Sequence, residues 1–576
     1  MSYLPTDPAD FATRAIDGFV AAHPWLVHRI DGGVMRRAPI PSGQVGVVVG
    51  GGSGHYPAFA GLVGRGLAAG AVCGNIFASP SAGQVVQVGS AVERGAGLLL
   101  TFGNYAGDVL HFTLGAERLR RQGIDVRIVT VTDDIASAPS DQQELRRGIA
   151  GGLAVYKVAG AAAEAGLPLD AVERLARKAN ARTRSLGVAF SGCTLPGADQ
   201  PLFEVASGRM AIGMGLHGEP GLAEGPLTDA DTLAALLVDR LLAERPADVP
   251  EDGQRLVVLL NGLGRFKYEE LFVLFGAVQQ VLQARGVVMA DCACGELVTS
   301  LDMAGVSLSF CWLDAELEGF WNAPADSAAY RRGAWAAGEG ASAPPAQKPE
   351  PQPEPAPAEA PSGADAPPSP ALQALLRRFA AMEGVLEQRV EELGALDAVA
   401  GDGDHGLGML RGVRGARASA IRASARGCNP GEVLMEAGEA WSDHGGGTSG
   451  ALWGGGLLAA GQALGASMAP DAAQIAAAAE AALQAVVQLG QAAPGDKTLV
   501  DALQPFCLRL RAELDQGVAL EPALRNAAEA GLAAAQATAN LIPQRGRARP
   551  HGQRSLGHPD PGAMSLAYCL LAATEA

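Results

Sequence analysis

Two sets of residues in this 576-residue chain have types and spacings that could do chemistry. The first lies in LDAVAGDGDHGLG, Leu396–Gly408, where Asp397, Asp402 and Asp404 fall on a stretch that glycines at 401, 403 and 406 allow to curl. Carboxylates brought together repel unless a cation sits among them, and hard oxygen donors select Mg²⁺ or Ca²⁺. The loop is not an EF-hand, which needs its own twelve-residue pattern and terminal Glu. Three more loops accompany it. HGGGTSGALWGGG (His444–Gly456) sets two hydroxyls at the start of a helix, PGDKTLVDAL (Pro494–Leu503) has similar texture, and PQRGRARPHGQRSLGHPDPG (Pro543–Gly562) adds cations. Backbone N–H groups at helix starts can hold phosphates. Together the four loops point to a Mg–nucleotide site, although no G-x-x-x-x-G-K-[ST] loop occurs.

The second set lies in the first half of the chain. GGGSGH ends a strand with Gly52, Ser53, Gly54 and His55 at the carboxyl end of a sheet, where α/β proteins bind ligands. NYAGD brings Asp108 out of the next strand's loop, and MGLHGEPG sets His217 between glycines. Packing gives no reason for an imidazole in a glycine loop, whereas His23 and His111 read as ordinary satisfied histidines. An imidazole so placed can act as a base or as a nucleophile toward a carbonyl.

The elements that must position these loops differ between the two halves. The first half alternates apolar runs with glycine turns: Val45–Val49 into GGGSGH, Gly97–Phe102 into GNYAGD, Val126–Val131 into TDDIASAP. With a helix over Arg146–Ala165, these read as α/β units around mostly parallel sheets. The pattern restarts near Arg182, with strands at Ser185–Phe190 and Arg255–Leu260. Two α/β subdomains are expected, 1–182 and 183–337, joined by the helical stretch Leu169–Ala181. Ala341–Pro370 holds eleven of the 36 prolines and almost no bulky apolar residue, so 338–370 reads as a Pro/Ala-rich, semi-rigid linker. Beyond it, 371–576 is nearly strand-free. Helices are predicted over Ala371–Leu393, Gly431–Trp441, Ala451–Met468, Ala473–Leu489, Thr498–Leu514 and Pro522–Leu541, an all-α bundle or barrel.

Composition narrows the function classes. Apolar residues at 48% and charged residues at 18% are globular, not disordered. A net charge of −17 argues against a broad nucleic-acid surface. The eight cysteines are scattered, and Cys292 and Cys294 have no second ligand pair near them, so neither a disulfide framework nor a zinc site is expected. The first residues carry no apolar signal region, and no uncharged apolar run has membrane-like length. A soluble, cytoplasmic protein is the expectation.

The chemistry-bearing loops resemble those of the single-chain, ATP-dependent dihydroxyacetone (glycerone) kinases. The segments that carry the resemblance are GGGSGHYPAFAGLVGRGL, NIFASPS, NYAGDVLHF, VTDDIA, RRGIAGGLAVYKVAGAAAEAG, GLHGEPG and TSLDMAGVSLSF, then GDGDHGLGM, GGTSGALWG, PGDKTLVDAL and RSLGHPDPGAMS. They cover nearly everything except the linker. The resemblance implies a ketone held covalently as a hemiaminal on His217, with His55 and Asp108 bonding its hydroxyls and one of them helping to deprotonate the attacking hydroxyl. Gly52, Ser53 and Gly54 would line the same pocket. It implies two Mg²⁺ on Asp397, Asp402 and Asp404, and ATP surrounded by His405, Gly406, Leu407, Gly408, Thr448, Ser449, Gly495, Arg547, Asp560, Pro561 and Gly562. It also implies a homodimer in which each helical module, an all-α barrel, faces a substrate module across chains.

Departures from the family pattern bear on the substrate. Tyr56 and Phe59 stand where SGHEPxH has Glu and His, and Gly103 stands where a Lys precedes NYTGD. GLGRF replaces a GMGGT-type loop near Asn261, and RPHGQRS replaces SYLGERS. Losing the Lys at 103 removes a donor and a charge from the ketone pocket. Dihydroxyacetone is the substrate the family implies, and a wider, less polar pocket would suit a larger ketose such as erythrulose or a branched pentulose. Other readings are a non-catalytic ketone-binding regulator, transfer from a phosphotransferase-system protein with ADP as a fixed cofactor, and a lyase acting on FAD.

Overall fold

The computed structural model describes residues 4, 8–198, 200–219, 221–334, 369–401, 403–545 and 555–575. Asp402 and Arg547, and most of the proline-rich segment, lie outside these residues. The chain divides into two compact units, Met1–Pro345 and Ala346–Ala576.

The first unit begins with helix α1 (Pro8–Ala22) and the antiparallel pair β1 (Val27–Ile30) and β2 (Gly33–Arg36). There follow β3 (Gly46–Ser53), β4 (Gly64–Arg65), β5 (Gly70–Ile76), α2 (Ala82–Val92), β6 (Leu98–Gly103), α3 (Ala106–Arg121), β7 (Val126–Val131), α4 (Gly152–Glu164) and α5 (Leu169–Ala181). The first sheet has the order β1-β2-β5-β3-β6-β7 and is parallel from β5 to β7. Its central strands are continuous apolar runs because both faces are covered. Val48, Leu98 and Leu100 pack with α2 and α3, whereas Val47, Val49 and Leu99 pack with α4 and α5. The helix predicted from Arg146 starts only at Gly152. Residues before it are held as a loop by the buried Asp133, whose carboxylate accepts the N–H groups of Ile149 and Gly151, both at 2.8 Å.

The unit continues with β8 (Thr183–Ala189), β9 (Arg209–Ile212), β10 (Ala223–Pro226), α6 (Ala230–Ala243), β11 (Arg255–Gly262), α7 (Tyr268–Ala284), β12 (Val288–Gly295), β13 (Gly305–Trp312), α8 (Ala315–Asn322), β14 (Ala325–Ser327) and β15 (Arg331–Arg332). The second sheet, in the order β10-β9-β8-β13-β11-β12, corrects the expectation of mostly parallel pairing, since only β11 and β12 run parallel. The physical reason is connection length. Helix α7 carries the chain from β11 back to the start of β12, but only residues 296–304 separate β12 from β13. A parallel crossover needs about a dozen residues or more, so β13 returns antiparallel between β11 and β8. One core cluster joins α4 and α5 to both sheets, through Val49 and Leu99 on one side and Val257 and Leu259 on the other.

The second unit is helical throughout its described residues: α9 (Pro370–Gln388), α10 (Val390–Ala398), α11 (His405–Ala425), α12 (Pro430–Gly445), α13 (Gly447–Leu464), α14 (Ala472–Gly490), α15 (Val500–Asp515), α16 (Leu520–Ala537) and α17 (Pro561–Glu575). The starts of α12 and α14 are fixed by capping boxes, Asn429 with Glu432 and Asp471 with Gln474. Successive helices from α11 to α17 pack on one another, and α17 packs on α9. Trp441 and Trp453 stack inside at 4.4 Å between ring centroids. Among the described residues, helix α14 alone is long and apolar enough to cross a membrane by length and composition.

Candidate active site

A cavity of about 50 Å³ opens at the carboxyl ends of β3, β6 and β7. At roughly 10–15 Å³ for each water-sized group it is on the scale of a small metabolite, not a nucleotide. Gly52, His55, Gly103, Asp108 and His217 line it, brought from three separate segments. Ser53 and Gly54 do not line it. The Ser53 hydroxyl donates to the Gly74 carbonyl at 2.7 Å, and Gly54 packs beside the Phe77 ring. Of the residues that depart from the family pattern, Phe59 and Gly103 line the cavity, but Tyr56 is turned outward and packs edge-on against Phe19. With Phe59, Leu62, Leu153 and Val298 in the wall, much of the lining is apolar.

The protons on the two histidines follow from their partners. His55 Nδ1 lies 2.8 Å from the Thr299 carbonyl, which only accepts, so Nδ1 carries a proton. His217 Nδ1 lies 3.0 Å from Glu219 Oε1, and the His217 backbone N–H donates to Oε2 at 2.9 Å. Burial would raise Glu219, but the His217 charge and hydrogen bonds, with Arg147, outweigh it and hold the carboxyl well below the usual range. Glu219 is therefore a carboxylate and His217 Nδ1 a donor. The two Nε2 atoms face each other at 3.1 Å. Two bare lone pairs repel at that distance, so the contact closes with one further proton shared between the rings. Tyr105 and Phe77 set their rings edge-on to His217, at 5.0 Å each.

In the second unit, the starts of three helices converge. His405, first in α11, has Nε2 2.9 Å from the Ser565 hydroxyl of α17, and its Nδ1 lies 3.5 Å from the Ser449 hydroxyl of α13. Burial pushes the His405 imidazole down to about 4, so it is neutral. Thr448 and Ser449 stand in the first turn of α13. Asp560 precedes α17, and its Oδ1 accepts the Ala563 N–H at 2.7 Å. Pro561 and Gly562 form the first residues of that helix. The Gly495 N–H donates to Asp501 Oδ1 at 2.5 Å. Gly406 has a packing reason of its own, because a side chain there would overlap the Val390 carbonyl. Gly408 lies beside Gly445, and Leu407 is half exposed. Helix N-termini grouped in this way favour a polyanion.

Carboxylates crowd the same end. Burial raises Asp404, and Asp397 raises it further. Burial also pushes Asp560 up to about 7, with Asp501 and Asp397 adding repulsion. Asp397 Oδ2 accepts the Gly403 N–H at 2.8 Å, which orients it. A cation would relieve this repulsion, and an all-oxygen donor set suits Mg²⁺. Among the described residues no group of three His, Cys, Asp or Glu side chains gathers as a metal cluster, and the third expected acid, Asp402, lies outside them.

Comparison with known proteins matches one domain to each of the two units. A Dak1 domain matches residues 17–329, and a DAK2 domain matches residues 399–575. The chain belongs to the dihydroxyacetone kinase family. It is a phosphotransferase of that family acting on a ketose. It is 50% identical over 571 residues to an L-erythrulose kinase of Pectobacterium atrosepticum, covering 99% of this chain and 95% of that one. It is equally identical over 572 residues to a D-erythrulose kinase of Mycolicibacterium smegmatis, covering 99% and 97%. Among solved structures, the dihydroxyacetone kinase from C. freundii in complex with AMP-PNP and Mg²⁺ aligns with a TM-score of 0.53 and 31% identity, covering 100% of this chain and 99% of that one. The shared architecture is an α/β amino-terminal part followed by a helical carboxyl-terminal part.

Sequence reasoning on this kinase missed Glu219, Thr299, Arg147 and Asp134, which surround the two histidines. Glu219 sits two residues from His217 in HGEPG, and its spacing was the available signal. Arg147 and Asp134 lie in RRGIAGG and VTDDIA, far from position 217 in the chain, and only the fold brings them together.

Proposed function

We propose that this kinase transfers the terminal phosphoryl group of ATP to a terminal hydroxyl of erythrulose while His217 holds the sugar as a hemiaminal. The observation that carries the reading is the His217 Nε2 atom, presented to a metabolite-sized cavity with its other nitrogen anchored on Glu219. Erythrulose is preferred over dihydroxyacetone for two reasons. Relatives at 50% identity along the whole chain are erythrulose kinases, and Phe59 and Gly103 leave the wall less polar than the family pattern would.

Capture balances without an outside reagent. As His217 Nε2 bonds to the carbonyl carbon, the C=O π pair moves to oxygen, which takes the shared proton from the His55 side. His55 becomes neutral, and the positive charge moves to the alkylated His217 ring, beside the Glu219 carboxylate. Asp108, in the first turn of α3, takes the proton from the terminal hydroxyl as it attacks phosphorus. Asp397, Asp404 and Asp402 would hold Mg²⁺, which neutralises phosphate charge when bound. His405–Gly408, Thr448, Ser449, Gly495, Arg547 and Asp560–Gly562 would surround the nucleotide. The circuit of helix contacts closed by α17 on α9 supports reading this unit as a barrel. The regulator alternative lacks a comparable observation, because the chain carries a complete helical partner with its paired acids.

The test is an ADP-release assay with both erythrulose enantiomers, dihydroxyacetone, branched pentuloses and glycerol side by side. One erythrulose enantiomer should show the highest kcat/KM and glycerol none. A clear preference for dihydroxyacetone overturns the substrate, and turnover of glycerol overturns carbonyl capture.

A further inference from the structure

Behind Glu219 lies a second pair of charges from a different part of the fold. Arg147, in the loop before α4, has Nη1 3.7 Å from Glu219 Oε2, and its Nη2 lies 2.8 Å from Asp134 Oδ2. Its Nε donates to the same Asp134 oxygen at 3.1 Å, and Nη2 also reaches the Gly213 carbonyl at 3.4 Å. Asp134 is itself fixed, because its Oδ1 accepts the Ala136 N–H at 3.0 Å and its backbone N–H donates to the Arg147 carbonyl at 3.1 Å. The guanidinium and both carboxylates are largely buried. Gly215 provides an independent sign that the contact is built. A Cβ at residue 215 would overlap both Glu219 Oε2 and Arg147 Nη1, so only a glycine lets the two groups meet there.

The chain His217–Glu219–Arg147–Asp134 links a loop of the second sheet to the connection between β7 and α4 of the first. A buried carboxylate beside an imidazole has two arrangements. It can stay ionised and accept from Nδ1–H, with the shared proton on the His55 side and His217 Nε2 bare, or take the Nδ1 proton and donate it back to Nδ1 while the shared proton settles on His217 Nε2 and ties up its lone pair. Which holds depends on what faces the carboxylate from its other side. The charged and titratable groups that act on Glu219 are His217, Arg147, Tyr105, Asp134 and Cys193. Arg147 is the permanent cation among them.

We propose that Arg147, anchored by Asp134, is a positioning residue that keeps Glu219 an acceptor of His217 Nδ1–H and so keeps Nε2 the nucleophilic nitrogen. The proposal rests on the reading of His217 as the ketone-capturing residue. It adds that the capturing tautomer is set by a residue that touches neither substrate nor imidazole.

The test uses the full chain and its Arg147→Met and Arg147→Lys variants, each checked for native circular dichroism and for wild-type ATP-analogue binding by the second unit. Two readouts are taken: the ¹⁵N shifts of the His217 ring, and the fraction of protein carrying the ketone adduct by intact mass. Arg147→Met should move the hydrogen toward Nε2, lower adduct occupancy and reduce kcat/KM for the ketose roughly 10- to 100-fold, with the KM for ATP unchanged. Arg147→Lys should recover most of the Nδ1–H signature. Asp134→Asn, which loosens Arg147 without removing it, should give an intermediate loss. A folded Arg147→Met protein with unchanged His217 shifts overturns the proposal. If the wild-type chain forms no adduct on His217, the capture reading fails, and the ring shifts still decide the role of Arg147 separately.

Discussion

His55 and His217, 162 positions apart in the chain, present their Nε2 atoms to each other at 3.1 Å, while each Nδ1 is anchored to a fixed acceptor. With both Nδ1 atoms donating, the shared proton between the rings is the acid that the proposed capture would deliver to a carbonyl oxygen. His55→Gln removes that acid and leaves the His217–Glu219 pair. Ketone capture, followed by intact mass in a stopped reaction, should slow by about 10²–10⁴, the range for a positioned proton donor. Adduct formation at the wild-type rate would place the proton elsewhere.

Gly103 governs the shape of the cavity. A Cβ at this position would lie 3.0–3.1 Å from the Tyr105 ring and 3.3 Å from the Gly148 carbonyl. Gly103→Lys, which restores the residue of the family pattern, should crowd the wall and add a donor. The ratio of kcat/KM for erythrulose to that for dihydroxyacetone should fall about 10-fold or more, the scale of one misfitted carbon group. An unchanged ratio would move the specificity determinant to Phe59.

What the sequence disclosed followed from how local each feature is. The helix predicted over Leu169–Ala181 is observed with the same bounds, because its apolar spacing is strong and Pro168 stands at the start. Ala473–Leu489 is longer by one residue at each end, with Asp471 as its cap. Ala371–Leu393 instead breaks at Arg389 into α9 and α10. Helices α11 and α17 were not predicted, since the glycine-rich start of one and the turn residues before the other read as loop. The antiparallel second sheet was hidden because a buried strand's apolar run does not record its direction; that follows from the length of residues 296–304. At the site, His55, Asp108 and His217 stood out because each interrupts or follows a glycine loop. Arg147 and Asp134 could not, because an Arg and an Asp in ordinary loops gain meaning only from what faces them.

Asp133 predicts how stability changes with pH. It is fully buried, and burial pushes its carboxyl up to about 6 despite hydrogen bonds from Ser185, Ile149 and Gly151. Between roughly pH 4 and 6 the folded chain therefore binds more protons at this site than the unfolded chain does. The stabilising contribution of the protonated group is complete below about 4 and is lost as pH rises through 6. A rise of about two pH units is worth on the order of 3 kcal/mol. In urea unfolding, the transition of the first unit should weaken across that window through this group, and Asp133→Asn should flatten the slope. An unchanged slope in a folded Asp133→Asn variant would show that the carboxyl titrates normally.

Substitution of Asp397 tests the proposed division of work between the two units. Its Oδ2 accepts the Gly403 N–H, and its charge raises both Asp404 and Asp560. Asp397→Asn keeps the shape and removes one charge from the proposed cation-binding set. Phosphoryl transfer depends on neutralising phosphate charge, so turnover should fall by about 10² or more and require higher Mg²⁺. The proposed ketone capture on His217 uses only residues of the first unit, so adduct occupancy without nucleotide should be unchanged. The same substitution relieves repulsion at Asp404, so the apo protein should melt at the same temperature or higher. Loss of adduct together with turnover would contradict the division between a unit that holds the sugar and a unit that delivers the phosphate. Retained turnover at low Mg²⁺ would remove Asp397 from the metal set.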